Sequence, residues 1–260
     1  MLTQTIALFR YQLLGMINAR IIVLLLAIYA LAFLGSRFVA ELAIINSEVI
    51  ALSVLAEFLR YSLVLLLIIS LSHQISQDYE LSQFERLLAM PISRYQYILA
   101  QFFLLMVLAS ILVTPVFLLM FVLGDASIAA YWTLSLAMEL TLVGFFALLA
   151  VISLEKLPVA IIFTIAIYLL SKTAPVIDLI LSQASPIYEE EQGFQLAQWL
   201  FGMIQYVLPG AQAFAQNNVV FGGMAIGEPL VQQLMAVLVY SLFILFVVLI
   251  DFYRKEFNQT

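Results

Sequence analysis

Residues 74–97 read QISQDYELSQFERLLAMPISRYQY and form the most polar segment between two long apolar runs. The apolar side chains Leu81, Phe84 and Leu88 recur at helical spacing, and charged and amide side chains fill the positions between them. This pattern is typical of a short amphipathic helix. Pro91 should end that helix, because proline has no backbone N–H and its ring clashes with the preceding turn. The segment therefore predicts a short helix between two membrane spans.

The residues after Pro91 predict where the next helix begins. Ser93 and Gln96 have the spacing of a capping box, and Ile92 and Tyr97 have that of a hydrophobic staple. A new helix should therefore begin at Arg94 and continue directly into the membrane.

Composition places the 260 residues in the membrane class as one transmembrane domain, residues 1–260. Hydrophobic residues make up 65% of the chain, charged residues make up 10%, and the mean hydropathy is +1.12. The net charge of −6 argues against a nucleic-acid partner, since binding that polymer needs a basic surface. The absence of cysteine excludes disulfides and thiolate metal sites.

The apolar runs predict an all-α integral membrane protein with six transmembrane helices. Residues 1–17 have the apolar spacing of an interfacial helix, and residues 75–93 form the loop between the second and third spans. Residues 177–229 form an outer loop, in which the segments 194–208 and 211–221 are too short to cross and are expected to dip into the outer leaflet and turn back. The expected spans are residues 21–35, 50–71, 95–123, 131–153, 158–174 and 230–252.

The basic residues orient these spans. Seven of the ten lie in segments that share one side when both termini are cytoplasmic. Cytoplasmic flanks carry an excess of Lys and Arg. Both termini and the loop at residues 75–93 are therefore expected inside.

Three ionisable residues within the spans are candidates for a translocation path. Glu57 and Arg60 have the i, i+3 spacing of a pair on one helix face, in the outer third of the membrane. They form either a pair at headgroup level or the outer mouth of a pathway. Glu139 is expected about two turns into the fourth span without a cation nearby in sequence, and Lys172 is expected near the outer end of the fifth. Glu139 is then either a protonated structural residue or a substrate site.

Several kinds of chemistry have no support in the sequence. None of the three lysines follows a glycine, so there is no phosphate-binding P-loop. A single histidine, His73, without cysteine cannot assemble a His-rich or thiolate metal site. No Gly-x-Ser-x-Gly motif occurs. The chain is therefore not expected to be an enzyme or to hold a metal or a cofactor.

Residues 80–94, reading ELSQFERLLAMPISR, resemble the first cytoplasmic loop of type-2 ABC exporter permeases. The family pattern is an acidic residue, a small-residue turn, an acid, two leucines, and then a proline, an apolar residue, a serine and an arginine. The usual glycine-threonine turn is replaced here by Ser82 and Gln83. The similarity extends to the interfacial N-terminal helix, the six spans, the short inner turn after the fourth span and the broken outer helices.

The resemblance implies that this loop is a coupling helix that inserts into a cleft of a separate ATPase subunit, which binds ATP and Mg²⁺. It also implies that two permease copies, identical or related, pair in a bacterial cytoplasmic membrane around the path of a hydrophobic or amphipathic cargo such as a lipid, a glycolipid, a drug-like molecule or a maturation factor. By position, the apolar anchors are Leu81, Phe84, Leu87 and Leu88, the charged rim is Glu80, Glu85 and Arg86, and the joint to the third span is Pro91 and Ser93, followed by Arg94.

Other interpretations of the same residues remain open. An ion-coupled secondary carrier would use Glu57, Arg60 and Glu139. A membrane scaffold would not transport at all, and the amphipathic loop would then lie on the membrane lipid without a protein partner.

Overall fold

The computed structural model describes residues 19–80, 94–123, 125–154, 156–188, 192–207, 214 and 228–254, and the regular elements in this part of the chain are all helices. The expected interfacial helix at residues 1–17, the coupling residues 81–93 and, apart from Phe214, the second outer helix at 211–221 lie outside the described residues. The helices are α1 (Ala19–Leu42), α2 (Ser47–Glu80), α3 (Arg94–Leu123), α4 (Ala126–Leu154), α5 (Leu157–Tyr188), α6 (Gln192–Val207) and α7 (Glu228–Arg254).

Six of these helices are long and apolar enough to cross a membrane, which confirms the predicted number of spans. Each has an apolar stretch of at least 22 residues, whereas about 20 residues suffice for roughly 30 Å of hydrocarbon. The sixteen-residue α6 lies between the fifth and sixth of them, close to the segment expected at 194–208.

The helix boundaries confirm some expectations and shift others. α3 is helical from Arg94, the first residue described after the gap at 81–93, and Pro158 lies in the first turn of α5, where its missing N–H costs nothing. α4 begins at Ala126, five residues before the expected start at Tyr131. α5 continues well past the expected end at residue 174 and reaches Tyr188.

The central element of the bundle is α4. In an apolar 18-residue stretch of α4, 83% of the residues are buried, and the helix packs against α2, α3, α5 and α7. Trp132 and Phe145 are among the largest fully buried side chains, and Phe145 stacks on Phe102 of α3 with the ring centroids 4.2 Å apart. A helix that is apolar on all sides belongs at the centre of a bundle, where each side meets another helix.

Polar contacts fix the ends and margins of the spans. Asp125 caps α4, because its carboxylate accepts hydrogen bonds from the backbone N–H and the hydroxyl of Ser127. These bonds hold the pKa of the Asp125 carboxyl below its ordinary value. At the other end of α4, the Ser153 hydroxyl donates to Asp251 of α7 over 2.8 Å.

Candidate functional site

The middles of α2, α4 and α5 carry ionisable side chains that meet inside the bundle. Arg60 and Glu139 are each the fourteenth residue of their helices, and Lys172 is the sixteenth of the 32 residues of α5. At about 1.5 Å per residue, each lies roughly 20 Å from the start of its helix. The three side chains therefore lie deep in the bundle and not at its ends.

Glu139 is the acceptor at the centre of this cluster. Its Oε2 accepts a hydrogen bond from Arg60 Nε at 2.9 Å. Its Oε1 lies 2.7 Å from Lys172 Nζ and accepts from the Tyr168 hydroxyl at 3.0 Å. The Glu139 side chain is 1% exposed, so these three donors take the place of water around the carboxylate.

Arg60 makes two further contacts with its terminal nitrogens. Nη1 lies 3.5 Å from Oε1 of Glu57, one turn earlier on α2. Nη2 donates to the backbone carbonyl of Phe214, which belongs to the segment between α6 and α7. The Phe214 side chain is buried with Met138 and other apolar residues of α4 and α7. Arg60 thus connects α2 with α4 and with the segment between α6 and α7.

The cluster is electrically balanced. Glu57, Arg60, Glu139 and Lys172 contribute two formal negative and two formal positive charges. An uncompensated charge is costly in the interior of a membrane protein, whereas paired charges are tolerated. Neutrality explains how four ionisable groups fit together inside an apolar helix bundle.

The cluster reaches the surface of the bundle between α2 and α5. The Glu57 side chain is 38% exposed, and Tyr61, one turn further along α2, is 42% exposed. The Tyr61 ring meets the edge of the Tyr168 ring with 6.4 Å between their centroids, and Lys172 Nζ lies 5.7 Å from the Tyr168 ring centroid. Glu57 is therefore the outermost charged member of the cluster.

A small cavity lies beside Glu139 on the inner side of the cluster. Its volume is about 20 Å³, and its lining includes the hydroxyl-bearing residues Thr164, Tyr168 and Ser171 together with the ring of Phe214. A cavity of more than roughly 10–15 Å³ measured in this way can hold one water molecule if polar groups are present. This space accommodates a water but not a larger ligand.

The structure both confirms and corrects the sequence-based interpretation. The Glu57–Arg60 pair on one face of α2 is confirmed. The expected position of Glu139, about two turns into its span, is wrong because α4 begins earlier. Glu139 has no cation close to it in sequence, as expected, but Arg60 and Lys172 of two other helices both contact it.

Sequence reasoning missed Tyr168 and Lys172 as members of this site. Lys172 was expected near the outer end of the fifth span, but α5 continues for sixteen residues beyond it. The i, i+4 spacing of Tyr168 and Lys172 was a usable signal, because it places both on one face of a helix. Among the described residues, no group of three or more His, Asp or Glu is arranged to hold a metal ion.

No protein-family model matches this sequence, and no curated protein matches it either.

Proposed function

We propose that this chain is the membrane-spanning permease subunit of an ATP-driven ABC exporter and that it couples ATP hydrolysis by a separate ATPase subunit to export of a hydrophobic or amphipathic substrate. The observation that carries the proposal is the resemblance of residues 80–94 to the coupling loop of such permeases. Six helices long and apolar enough to cross a membrane support it.

The helices on either side of the loop are suited to transmit a movement. α2 has 34 residues and is about 50 Å long, so it extends beyond roughly 30 Å of hydrocarbon. It packs against α1, α4 and α5, and α3 packs against α4 and α7. A displacement of the loop would therefore reach the centre of the bundle through two continuous helices.

In this proposal, ATP hydrolysis takes place on partner chains. ATP and Mg²⁺ bind to a pair of ATPase subunits, and this chain supplies no nucleotide site. Two permease copies enclose the substrate path in a bacterial cytoplasmic membrane, with both termini inside. The interfacial N-terminal helix, the coupling helix and the re-entrant outer helices belong to this same proposal.

The coupling role is tested by substitution in the loop. Phe84→Asp and Leu88→Asp should each release the co-purifying ATPase, because a charge at a buried anchor costs on the order of 2 to 4 kcal/mol of interface energy. The measurement is affinity purification from native membranes with mass-spectrometric detection of P-loop proteins. Gln83→Asp is the matched control, since it adds the same charge to a polar position and should retain the ATPase. Unchanged co-purification after both anchor substitutions would overturn the proposal.

A second candidate function is an ion-coupled secondary carrier that uses Glu57, Arg60 and Glu139. The observation that favours it is that these residues form one buried cluster with Lys172. This function requires transport by vesicles that contain the chain and an ion gradient but no ATPase, and Glu139→Gln should abolish that transport. Dependence of transport on an ATPase would exclude it.

A further inference from the structure

We propose that Arg60 is the recognition residue for the anionic end of an amphipathic substrate. The Glu57 carboxylate occupies the position of that anionic end on Arg60 when no substrate is bound. The anionic end is a carboxylate or a phosphate, and the apolar part of the molecule stays at the bundle surface between α2 and α5. The inference deepens the proposed transport function and rests on it.

The three nitrogens of the Arg60 guanidinium are not equally well hydrogen-bonded. Nε is bound to Glu139 at 2.9 Å and Nη2 to the Phe214 carbonyl, so the guanidinium plane is fixed from the interior of the bundle. Nη1 points towards Glu57, and the 3.5 Å separation is longer than an ordinary N–H···O hydrogen bond. Arg60 therefore presents its least satisfied nitrogen on the side where the cluster meets the surface.

Of the two carboxylates that contact Arg60, that of Glu57 is the more readily displaced. Its side chain is 38% exposed, against 1% for Glu139. In the part of the chain that the structure describes, its buried Oε2 accepts no hydrogen bond. Glu57 can thus turn outward at little cost. If Glu139 turned away, its three donors would lose their acceptor.

Replacement of Glu57 by an external anion preserves the charge balance of the cluster. When an external anion replaces Glu57 on Arg60, the interior still contains two cations, Glu139 and one further anion. No net charge is buried when the incoming group carries a single negative charge, as a carboxylate or a monoanionic phosphate does. A guanidinium with fixed geometry is well matched to carboxylate and phosphate oxygens, which it binds through charge-assisted hydrogen bonds.

Exposed apolar side chains on α2 provide a surface for the apolar part of the substrate. Phe58, Tyr61 and Leu65 are each more than 40% exposed on α2 beside Glu57. An alkyl chain lying along these side chains stays in a lipid-like environment while its polar end contacts Arg60. Buried ion pairs add little net stability, which favours a recognition role over a purely structural one for this cluster.

The test is binding of simple anionic amphipaths to the purified chain in dodecyl maltoside, with no ATPase present. The probes are dodecyl phosphate and dodecanoate, with dodecanol as the neutral probe, and the readout is the ligand-dependent rise of the unfolding temperature. Saturation by dodecyl phosphate alone identifies a phosphate end, and saturation by dodecanoate alone identifies a carboxylate end. Either result supports the site, whereas equal effects of dodecanol show that the apolar chain alone binds and overturn it.

The decisive variant is Glu57→Gln, which removes the competing charge and keeps the shape of the side chain. It should bind the anionic probe about fivefold to tenfold more tightly, a change of roughly 1 kcal/mol. Glu48→Gln is the matched control, because it removes the same charge from an exposed position of α2 and should bind like the wild type. A purely structural Glu57 would not produce tighter binding.

A second variant keeps the test independent of folding defects. Arg60→Lys preserves the charge beside Glu139 but lacks the planar fork, and it should weaken anion binding about tenfold. The inference is overturned if Glu57→Gln does not tighten binding, if Glu48→Gln tightens it equally, or if Arg60→Lys leaves it unchanged. Because the assay uses this chain alone, a negative binding result would overturn the anion site without affecting the exporter proposal, whereas unchanged ATPase co-purification with Phe84→Asp and Leu88→Asp would overturn the exporter proposal.

Discussion

At the scale of single residues, Glu139 holds three helices together. It belongs to α4, and its oxygens contact Arg60 of α2 and Tyr168 and Lys172 of α5. The attraction within such a cluster is largely offset by the cost of removing the charges from water. The cluster therefore adds little net stability while it is complete, but losing Glu139, which lies between the two buried cations, is expensive.

Replacing Glu139 by Gln should lower the free energy of unfolding by about 3–5 kcal/mol, because Arg60 and Lys172 would lose the carboxylate between them. The measurement is unfolding by sodium dodecyl sulfate in mixed micelles, followed by circular dichroism. Glu48→Gln, at an exposed position, should change this free energy by no more than about 0.5 kcal/mol. Equal stability of the two variants would show that Glu139 does not compensate the buried cations.

Tyr29 connects α1 to α3 near the proline of the latter helix. Its hydroxyl donates to the Leu112 carbonyl at 2.6 Å, three residues before Pro115. A proline disturbs the hydrogen bonds of the preceding turn of its helix, and the Tyr29 hydroxyl contacts a carbonyl of that turn. α1 packs mainly against α2, so this bond gives it a direct link to α3.

Tyr29→Phe removes that hydrogen bond and should cost about 0.5–1.5 kcal/mol of unfolding free energy. The same detergent titration measures it, with Tyr95→Phe at an exposed position of α3 as the control. If both substitutions leave the midpoint unchanged, the Tyr29 hydroxyl does not hold α1 in place.

At the scale of helices, α4 is central because its neighbours can approach it closely. A Cβ on Gly144 would lie 2.9 Å from Cδ2 of Leu105 in α3 and 3.5 Å from Cδ2 of Leu67 in α2. Both leucines are almost completely buried, so they have little room to shift. Small residues at such positions allow membrane helices to pack without lipid between them.

Gly144→Ala should therefore destabilise the protein by about 1 kcal/mol, although alanine favours helix more than glycine does. Gly35→Ala in α1 is the matched control, because a Cβ there would meet no atom within 4 Å. That control should be neutral or stabilising by up to about 1 kcal/mol. Thermal unfolding of the two variants distinguishes the effects, and a stabilised Gly144→Ala protein would contradict the close packing of α4.

At the scale of the whole molecule, the predicted orientation depends on basic residues in the connections between spans. The natural absence of cysteine makes this directly measurable, since each introduced cysteine is unique. Ile44 is 99% exposed in the turn between α1 and α2, and Lys156 is exposed between α4 and α5.

In intact spheroplasts, Ile44→Cys should react with a membrane-impermeant maleimide, and Lys156→Cys should react only after the membrane is opened. This result is expected because Lys156 lies on the side that carries most of the basic residues. The reverse labelling pattern would place both termini outside and would separate the loop at residues 75–93 from any cytoplasmic ATPase.

Local features of the sequence determined the number of spans and the Glu57–Arg60 pair. Each depends on residues close together in the chain: an apolar run or an i, i+3 spacing. Such signals act within one helix, and they do not require knowledge of its neighbours.

Only the tertiary structure decided the partners of Glu139 and Arg60. Arg60 lies 79 residues from Glu139 and 154 residues from Phe214, and no local pattern connects positions so far apart. The spans are apolar on nearly every side, because both lipid and neighbouring helices accept apolar side chains, so the sequence carries little information about which faces meet. Packing around α4 determines which faces meet, and it brings the charges of Glu57, Arg60, Glu139 and Lys172 into one neutral cluster.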